Sequence, residues 1–261
     1  MSQQGLDASR SLAQQYADVV AGLRPEHWAA PSRCAGWWVQ DLVAHTGSNF
    51  RVLVEPPAEP VPGLTAERAQ DMLVDERRDW SPAQVRQEFD DYRGPALDVL
   101  VAMQAEPLAT TPLTIHELGT YPMAALADAF AFDLYCHLRV DLLAPSGPVD
   151  LAVPAATDAQ VAPAIGWMLT GLPQMCPAVN GQLQRPVGLR LTGTGAGEWT
   201  LHRGDDGLQI EPGTAGAAAV VTSSAHDFVL WGTGRAEWRQ CVTVAGDEAL
   251  AARVLDAVDV V

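Results

Sequence analysis

Apolar residues recur at helical spacing along the first half of the chain, and they predict its main elements. A first amphipathic helix, which stops before Pro25, is indicated by Leu12, Tyr16, Val19, Val20 and Leu23. A second helix is predicted over the segment WWVQDLVAHTGSNFRVLV, where one face carries Trp38, Leu42, His45 and Asn49. The prolines that follow exclude a helix and predict a loop at Pro56, Pro57, Pro60 and Pro62.

Two further helices complete the predicted first half. Ser81 is a suitable N-cap, Pro82 fits the first turn and Gln84 completes a capping box, so the third helix begins here. The dipeptide Gly94-Pro95 is expected to bend or interrupt it. After a turn-rich stretch, residues 107–121, a last and mostly apolar helix covers residues 122–143. Four helices with short and medium connections predict a bundle.

The pattern changes beyond a predicted linker, residues 144–148. Residues 155–177 still suggest a helix, but VGLRLTG, EWTLHRG, GLQIEPG and AAAVVTS predict short strands separated by glycine-rich turns. A helix from about Asp227, a strand RQCVTVAG and a closing helix from Asp247 follow. We therefore predict an α+β chain: a four-helix bundle, residues 1–146, and a small C-terminal α/β sandwich-type domain, residues 147–261.

Composition narrows the class of protein. The 261 residues are 48% hydrophobic and 18% charged, which is typical of a globular chain. The formal net charge of -16 argues against nucleic acid or an anionic membrane as the main partner. All sixteen basic residues are arginine, which is typical of a GC-rich genome such as that of an actinobacterium.

The sequence shows no targeting segment, and the spacing of its cysteines does not indicate a functional site. We find neither a secretory signal nor an apolar run long enough for a membrane span, and we expect a cytoplasmic protein, monomeric or weakly dimeric. The cysteines are far apart and form no CxxC pair, so neither a zinc ribbon nor a dithiol redox motif is predicted; they are Cys34, Cys136, Cys176 and Cys241.

Three polar residues on otherwise apolar helices are the candidates for a metal site. Asp133 and His137 are one helical turn apart on the last helix, so they share a face. His45 faces inward on the second helix, and neighbouring helices would bring all three side chains into the core, where bundles build metal sites. Two imidazoles and a carboxylate are a ligand set of catalytic zinc, and they also suit ferrous iron. The alternative from spacing alone is that these core histidines are only hydrogen-bonded.

The same segments resemble a known family. WWVQDLVAHTGS and AFDLYCHLRVDLL are similar to motifs in the DinB-like bundle of mycothiol-dependent maleylpyruvate isomerases. The first family motif, a tryptophan followed by D-L-V-x-H, corresponds to Trp38 and residues 41–45. The second, E-x-x-x-H with an acidic residue soon after, corresponds to residues 133–137 and Asp141. Residues 227–235 and 244–250 resemble the sterol-carrier-like domain that closes such proteins, so the resemblance spans essentially the whole chain.

The resemblance implies zinc, or another divalent metal, held by His45, Asp133 and His137, with mycothiol or a similar thiol as cofactor. The family usually has glutamate where this chain has Asp133, which is one methylene shorter, so the site must close up or admit a water. Arg235 matches an arginine that similar proteins place near the substrate, where it could bind a carboxylate; the alternative is a salt bridge. His116 could act as an acid–base group, or simply be solvated.

For several residues that lie near these candidates in the sequence, we expect structural and not chemical roles. Cys136 is expected to pack in the core, and Trp37 and Trp38 to form core or cavity wall. Asp141 is either a partner that orients His137 or a solvent contact at the helix end, and Arg139 is expected to face solvent or the second domain.

We expect a metal- and thiol-dependent isomerase or S-transferase that acts on a small electrophile. The alternatives are a metalloenzyme of secondary metabolism that uses no thiol, such as a hydrolase or cyclase, and a small-molecule-binding protein that has lost catalysis. Asp133 in place of glutamate supports the binding protein. A requirement for added thiol separates the first two possibilities, and the absence of turnover identifies the third.

Overall fold

The computed structural model describes residues 2–57 and 63–260 of the chain. Pro60 and Pro62 of the predicted loop therefore lie outside the described residues. The chain divides into two compact units, Met1–Ala155 and Ala156–Val261, which we call the first and the second unit. The domain boundary expected at residue 146 stays a prediction.

The first unit is helical, apart from one short hairpin in its described residues. Its helices are α1 (Gln3–Gly22), α2 (Pro25–Trp28), α3 (Val39–Val54), α4 (Ala66–Asp75), α5 (Pro82–Ala102) and α6 (Leu126–Tyr135). A π-helical segment, Cys136–Leu142, continues α6. Strands β1 (Pro112–Ile115) and β2 (Gly119–Pro122) form the antiparallel hairpin, largely within the stretch predicted to be rich in turns, for which no strand was predicted.

The long helices pack as the predicted four-helix bundle. Helix α1 contacts α5 and α6, and α3 contacts α5 and the π-helical segment. Tyr16, Phe50 and Phe89 are completely buried between them, and the ring centroids of both Tyr16 and Phe50 lie 5.5 Å from that of Phe89. Gly47 allows the close approach of α3 to α5, because a Cβ there would lie 3.2 Å from the Phe89 nitrogen.

Helix α5 begins as predicted but does not break where expected. The Ser81 hydroxyl accepts a hydrogen bond from the Gln84 backbone, and the Gln84 side chain accepts one from the Ser81 backbone. The interruption expected at Gly94-Pro95 is wrong, since α5 runs on to Ala102. Pro95 removes one N–H donor, but the carbonyl of Asp91 that loses it belongs to an exposed residue, so water can replace the bond.

The second unit is a mixed α/β domain, so the predicted α+β class is confirmed. Its helices are α7 (Asp158–Met175), α8 (Pro177–Gln182), α9 (Ala225–Gly232), α10 (Trp238–Cys241) and α11 (Glu248–Leu255). Its strands are β3 (Val187–Thr192), β4 (Gly197–Gly204), β5 (Gly207–Pro212), β6 (Ala219–Ser224) and β7 (Thr243–Gly246). They form one sheet in the order β5-β4-β3-β6-β7, in which β3 and β6 are parallel and the other pairs antiparallel.

Helices α7, α9 and α11 contact this sheet. The strand predicted over RQCVTVAG is shorter than expected, because α10 occupies its first residues. In the described residues we find no helix whose length and apolarity would let it cross a membrane.

Candidate metal centre

His45, Asp133 and His137 meet in the first unit, although the first is 88 positions from the second along the chain. One ligand atom from each residue lies within 4.8 Å of those of the other two. The Nε2 atom of His45 is 3.3 Å from Asp133 Oδ1, and Nε2 of His137 is 3.4 Å from the same oxygen. The rings are buried and so is Asp133 Oδ2, whereas the Asp133 side chain as a whole is 27% exposed, so solvent reaches part of that side chain.

The backbone that presents His137 is unusual. Asp133 belongs to α6, but the helix widens into the π-helical segment just before His137. Such segments are rare and occur frequently at functional sites. The hydrogen-bonding pattern here turns His137 and Asp141 toward each other, and His137 Nδ1 lies 2.9 Å from Asp141 Oδ2. Asp141 is completely buried, so the solvent contact considered for it is excluded.

Asp141 determines which nitrogen of His137 faces the cluster. Its carboxylate accepts the hydrogen bond from Nδ1–H, which leaves the Nε2 lone pair of the neutral ring directed at Asp133 Oδ1. Two electron-rich atoms repel each other at this separation unless a proton or a metal ion lies between them. Burial alone would lower the pKa of His137, but the charges and hydrogen bonds of Asp133 and Asp141 raise it to about 9. Asp133 and Asp141 thus favour a positive charge at His137, carried either by a proton on the ring or by a metal ion.

The pKa values of the other two residues of the cluster, His45 and Asp133, are lowered instead of raised. Burial lowers the pKa of His45, and the attraction of Asp133 does not compensate for it. Burial would raise the pKa of Asp133, but the charges of His137 and His45 hold it well below its usual value. Asp133 is therefore a carboxylate, and His45 a neutral ring with a lone pair to offer.

The donor set and its spacing fit a divalent metal. A tetrahedron with ligand bonds of about 2.0–2.1 Å has edges of about 3.3–3.4 Å; the two imidazole–carboxylate separations, 3.3 and 3.4 Å, match such edges, and all three ligand atoms lie within 4.8 Å of one another. Asp133 Oδ2 and His45 Nδ1 are buried atoms without a hydrogen-bond partner in the described structure. A buried carboxylate oxygen without a partner is costly, and a metal ion would remove that cost.

Trp37 covers the two imidazoles. Its ring centroid lies 5.0 Å from that of His45 and 6.2 Å from that of His137. The indole N–H donates to Asp71 Oδ1 of α4 at 3.2 Å, which fixes the ring over the site. Trp37 thus packs against the cluster, and its expected role as core or cavity wall stays a prediction.

Comparison with known proteins shows the family to which this chain belongs. Residues 9–142 match the family model described as the mycothiol maleylpyruvate isomerase N-terminal domain. The chain belongs to this family. Two solved structures, the mycothiol-dependent maleylpyruvate isomerase and a histidine-to-alanine mutant of it, share the fold with TM-scores of 0.59 and 0.58. They are 16% and 15% identical to this chain, and each comparison covers 94% of this chain and 93% of the other. A search of curated proteins gives no significant match.

In this family member the carboxylate is aspartate, and its shorter side chain still reaches both rings. Asp133 Oδ1 lies within 3.4 Å of each Nε2 atom; whether a metal site with this shorter arm closes up or admits a water stays a prediction.

The other two candidates lie outside this cluster. His116 is exposed at the hairpin turn, where its Nδ1 atom is 2.8 Å from the Leu64 carbonyl oxygen. Arg235 belongs to the second unit, and its backbone N–H donates to the Leu230 carbonyl at the end of α9. Their catalytic roles stay predictions.

One expectation about the neighbouring side chains, the burial of Trp38, is wrong. Trp38 is 50% exposed, because α3 begins one residue later and the extended backbone of this N-cap carries the ring away from the helix face. Arg139 donates from its guanidinium to Gln15 of α1 and to the carbonyl of Pro154, which belongs to residues 147–261, the predicted second domain, as one of the two expectations for it states. Cys136 is buried, as predicted.

The sequence interpretation assigned no role to Asn49, which the structure places at the cluster. Its side-chain amide nitrogen lies 3.2 Å from His45 Nε2. The feature of the sequence that could have identified Asn49 is its position one turn after His45 on the same helical face.

Proposed function

We propose that this chain is a metal-dependent enzyme that uses a low-molecular-weight thiol of the mycothiol type to isomerise a small electrophile or to transfer the thiol to it. The observation that carries this proposal is the convergence of two imidazole nitrogens and one carboxylate oxygen in a member of this family. The related solved structures are of a mycothiol-dependent isomerase, which supports a thiol as the second reactant.

His45, Asp133 and His137 would hold zinc or another divalent ion. The bound metal would supply Lewis acidity, which lowers the pKa of a thiol so that its thiolate persists at neutral pH. The chain's own residues prepare this environment. Asp141 keeps Nε2 of His137 directed inward, and Trp37 shields both rings from water.

The proposed reaction balances without an oxidant or a reductant. The thiolate sulfur adds to one carbon of an activated double bond, and the electron pair of that bond moves onto the electron-withdrawing substituent. The remaining single bond rotates, and elimination of the same thiolate restores the double bond in the other geometry. If a proton traps the adduct before elimination, the product is a thioether and the reaction is a transfer.

Two residues outside the cluster are proposed to assist. Arg235 would bind a carboxylate of the substrate, because a guanidinium pairs with both carboxylate oxygens at once. His116 would exchange a proton with substrate or thiol, because a neutral imidazole carries one N–H donor and one nitrogen acceptor. Both assignments depend on the sequence interpretation.

A thiol-dependence assay tests the proposal. Zinc-loaded protein is mixed with an α,β-unsaturated carbonyl compound, with and without a low-molecular-weight thiol, and turnover is followed by loss of the enone absorbance. We expect catalytic turnover only when the thiol is present. Equal turnover without thiol would identify a hydrolase or cyclase instead, and stoichiometric binding without turnover would identify a binding protein.

A further inference from the structure

Asn49 is the polar group beside the candidate metal ligands that has no assigned role. It lies one turn after His45 on α3, so both side chains leave the same face of the helix. Its amide nitrogen is 3.2 Å from His45 Nε2, the same atom that lies 3.3 Å from Asp133 Oδ1. Among the described residues this contact is the one hydrogen bond found for the Asn49 side chain.

This hydrogen bond and a metal compete for one position. If the amide N–H donates to Nε2, it uses the lone pair that a metal would need. If the amide is turned round, its oxygen accepts the Nε2 hydrogen, which a metal would displace. In both orientations, ligation by His45 Nε2 releases the Asn49 amide next to the metal centre.

The released amide lies where a ligand would enter. The imidazole side chains of His45 and His137 are only 5% and 9% exposed, whereas Asp133 is 27% exposed and Asn49 is half-buried. A molecule that approaches from solvent therefore meets the exposed part of the Asp133 side chain and the Asn49 side chain before it meets the rings. An uncharged N–H donor beside a cation favours an oxygen acceptor.

We propose that Asn49 binds the substrate: its side-chain amide donates a hydrogen bond to a carboxylate or carbonyl oxygen of the molecule held at the metal centre. This inference extends the proposed function, on which it rests, and assigns Asn49 to substrate recognition and not to metal binding. On an unsaturated carbonyl, the same hydrogen bond stabilises the negative charge that develops when the thiolate adds.

The test uses two variants of the full-length, zinc-loaded protein and one control. Asn49→Leu has nearly the same volume without hydrogen-bonding groups, and Asn49→Asp has the same shape without N–H donors. Gln87→Leu, on the exposed face of α5, is the matched control. Zinc per chain is measured by elemental analysis, succinate affinity by calorimetry as an unreactive carboxylate probe, and thiol-dependent turnover by kcat and KM.

We expect all proteins to retain wild-type zinc content. Succinate affinity should fall by about 10- to 100-fold in Asn49→Leu, the effect of one hydrogen bond to a charged group, and further in Asn49→Asp through repulsion. The ratio kcat/KM should fall by about 100- to 1000-fold, as for a lost oxyanion donor, whereas Gln87→Leu should match the wild type.

The outcomes separate this inference from the proposed function. Loss of zinc in both Asn49 variants, unchanged succinate affinity, or no succinate binding by the wild type would each overturn the role of Asn49. A wild type that binds succinate through Asn49 but shows no thiol-dependent turnover would support the binding role and refute the proposed function. If both Asn49 variants retain thiol-dependent turnover, the proposed function would be supported and the substrate-binding role of Asn49 would be refuted.

Discussion

The Nδ1 atom of His137 lies 2.9 Å from Oδ2 of Asp141, and this contact decides which ring nitrogen faces Asp133. Asp141 is completely buried, so the bond is not weakened by competition with water. Because the bond holds the proton on Nδ1, the neutral ring offers the Nε2 lone pair to the centre of the cluster. Carboxylates in this position raise the basicity of a ligating histidine and fix its orientation.

Asp141→Asn should weaken zinc binding without abolishing it. The amide can keep a hydrogen bond to the ring, but it no longer holds the Nδ1–H tautomer with a negative charge. We expect the zinc dissociation constant to rise by about 10- to 100-fold, measured by competition with a chromophoric chelator. Asp98→Asn, an exposed change on α5, serves as control. Equal zinc affinity in Asp141→Asn and wild type would show that Asp141 does not orient His137.

Zinc binding should depend on pH through His137. Its pKa is raised to about 9, so the ring is protonated at pH 7 and must lose that proton before Nε2 can bind a metal. Zinc affinity should therefore rise as the pH increases from 6 toward 9, with release of about one proton per site near pH 7. Calorimetry in buffers with different heats of ionisation measures this proton. An observed heat that is independent of the buffer would contradict the prediction.

A stability prediction concerns the ion pair between Arg77 and Glu88, which is independent of the metal cluster. Both side chains are 4% exposed, and the guanidinium donates to both carboxylate oxygens at 2.5 and 2.7 Å. Glu88→Gln leaves the buried Arg77 charge with only the exposed Glu76 carboxylate, 3.5 Å away, so the free energy of unfolding should fall by about 3–5 kcal/mol. Urea denaturation measures the change, and Glu67→Gln at the exposed start of α4 is the control. A loss no larger than that of the control would refute the importance of this pair.

The sequence predicts which three side chains converge, because each of them is a polar residue on an otherwise apolar helical face. Asp133 and His137 stand out as polar residues one turn apart on an apolar helix, and His45 lies on the inward face of another. The π-helical segment leaves no comparable signal, since the widening depends on hydrogen bonds between turns and on packing against α3. The position of Trp38 depends on a single residue at the start of α3, which helical spacing does not resolve.

Neither the hairpin nor the particular hydrogen-bond partners of Arg139 can be predicted from local sequence patterns. Strands β1 and β2 are four residues long and lie in a stretch rich in turn-forming residues, so alternation has too little length to appear. Arg139 is bound by Gln15 and by the Pro154 carbonyl, which are distant in sequence and become neighbours only after folding.

Elemental analysis of purified wild type, His45→Ala and His137→Ala is the most direct test of the central claim, that three side chains from two distant segments hold one metal ion. Circular dichroism of each variant verifies that the bundle remains folded. The account predicts stoichiometric zinc, or another divalent metal, in the wild type and almost none in either folded variant. Stoichiometric metal that persists in both folded variants would contradict it.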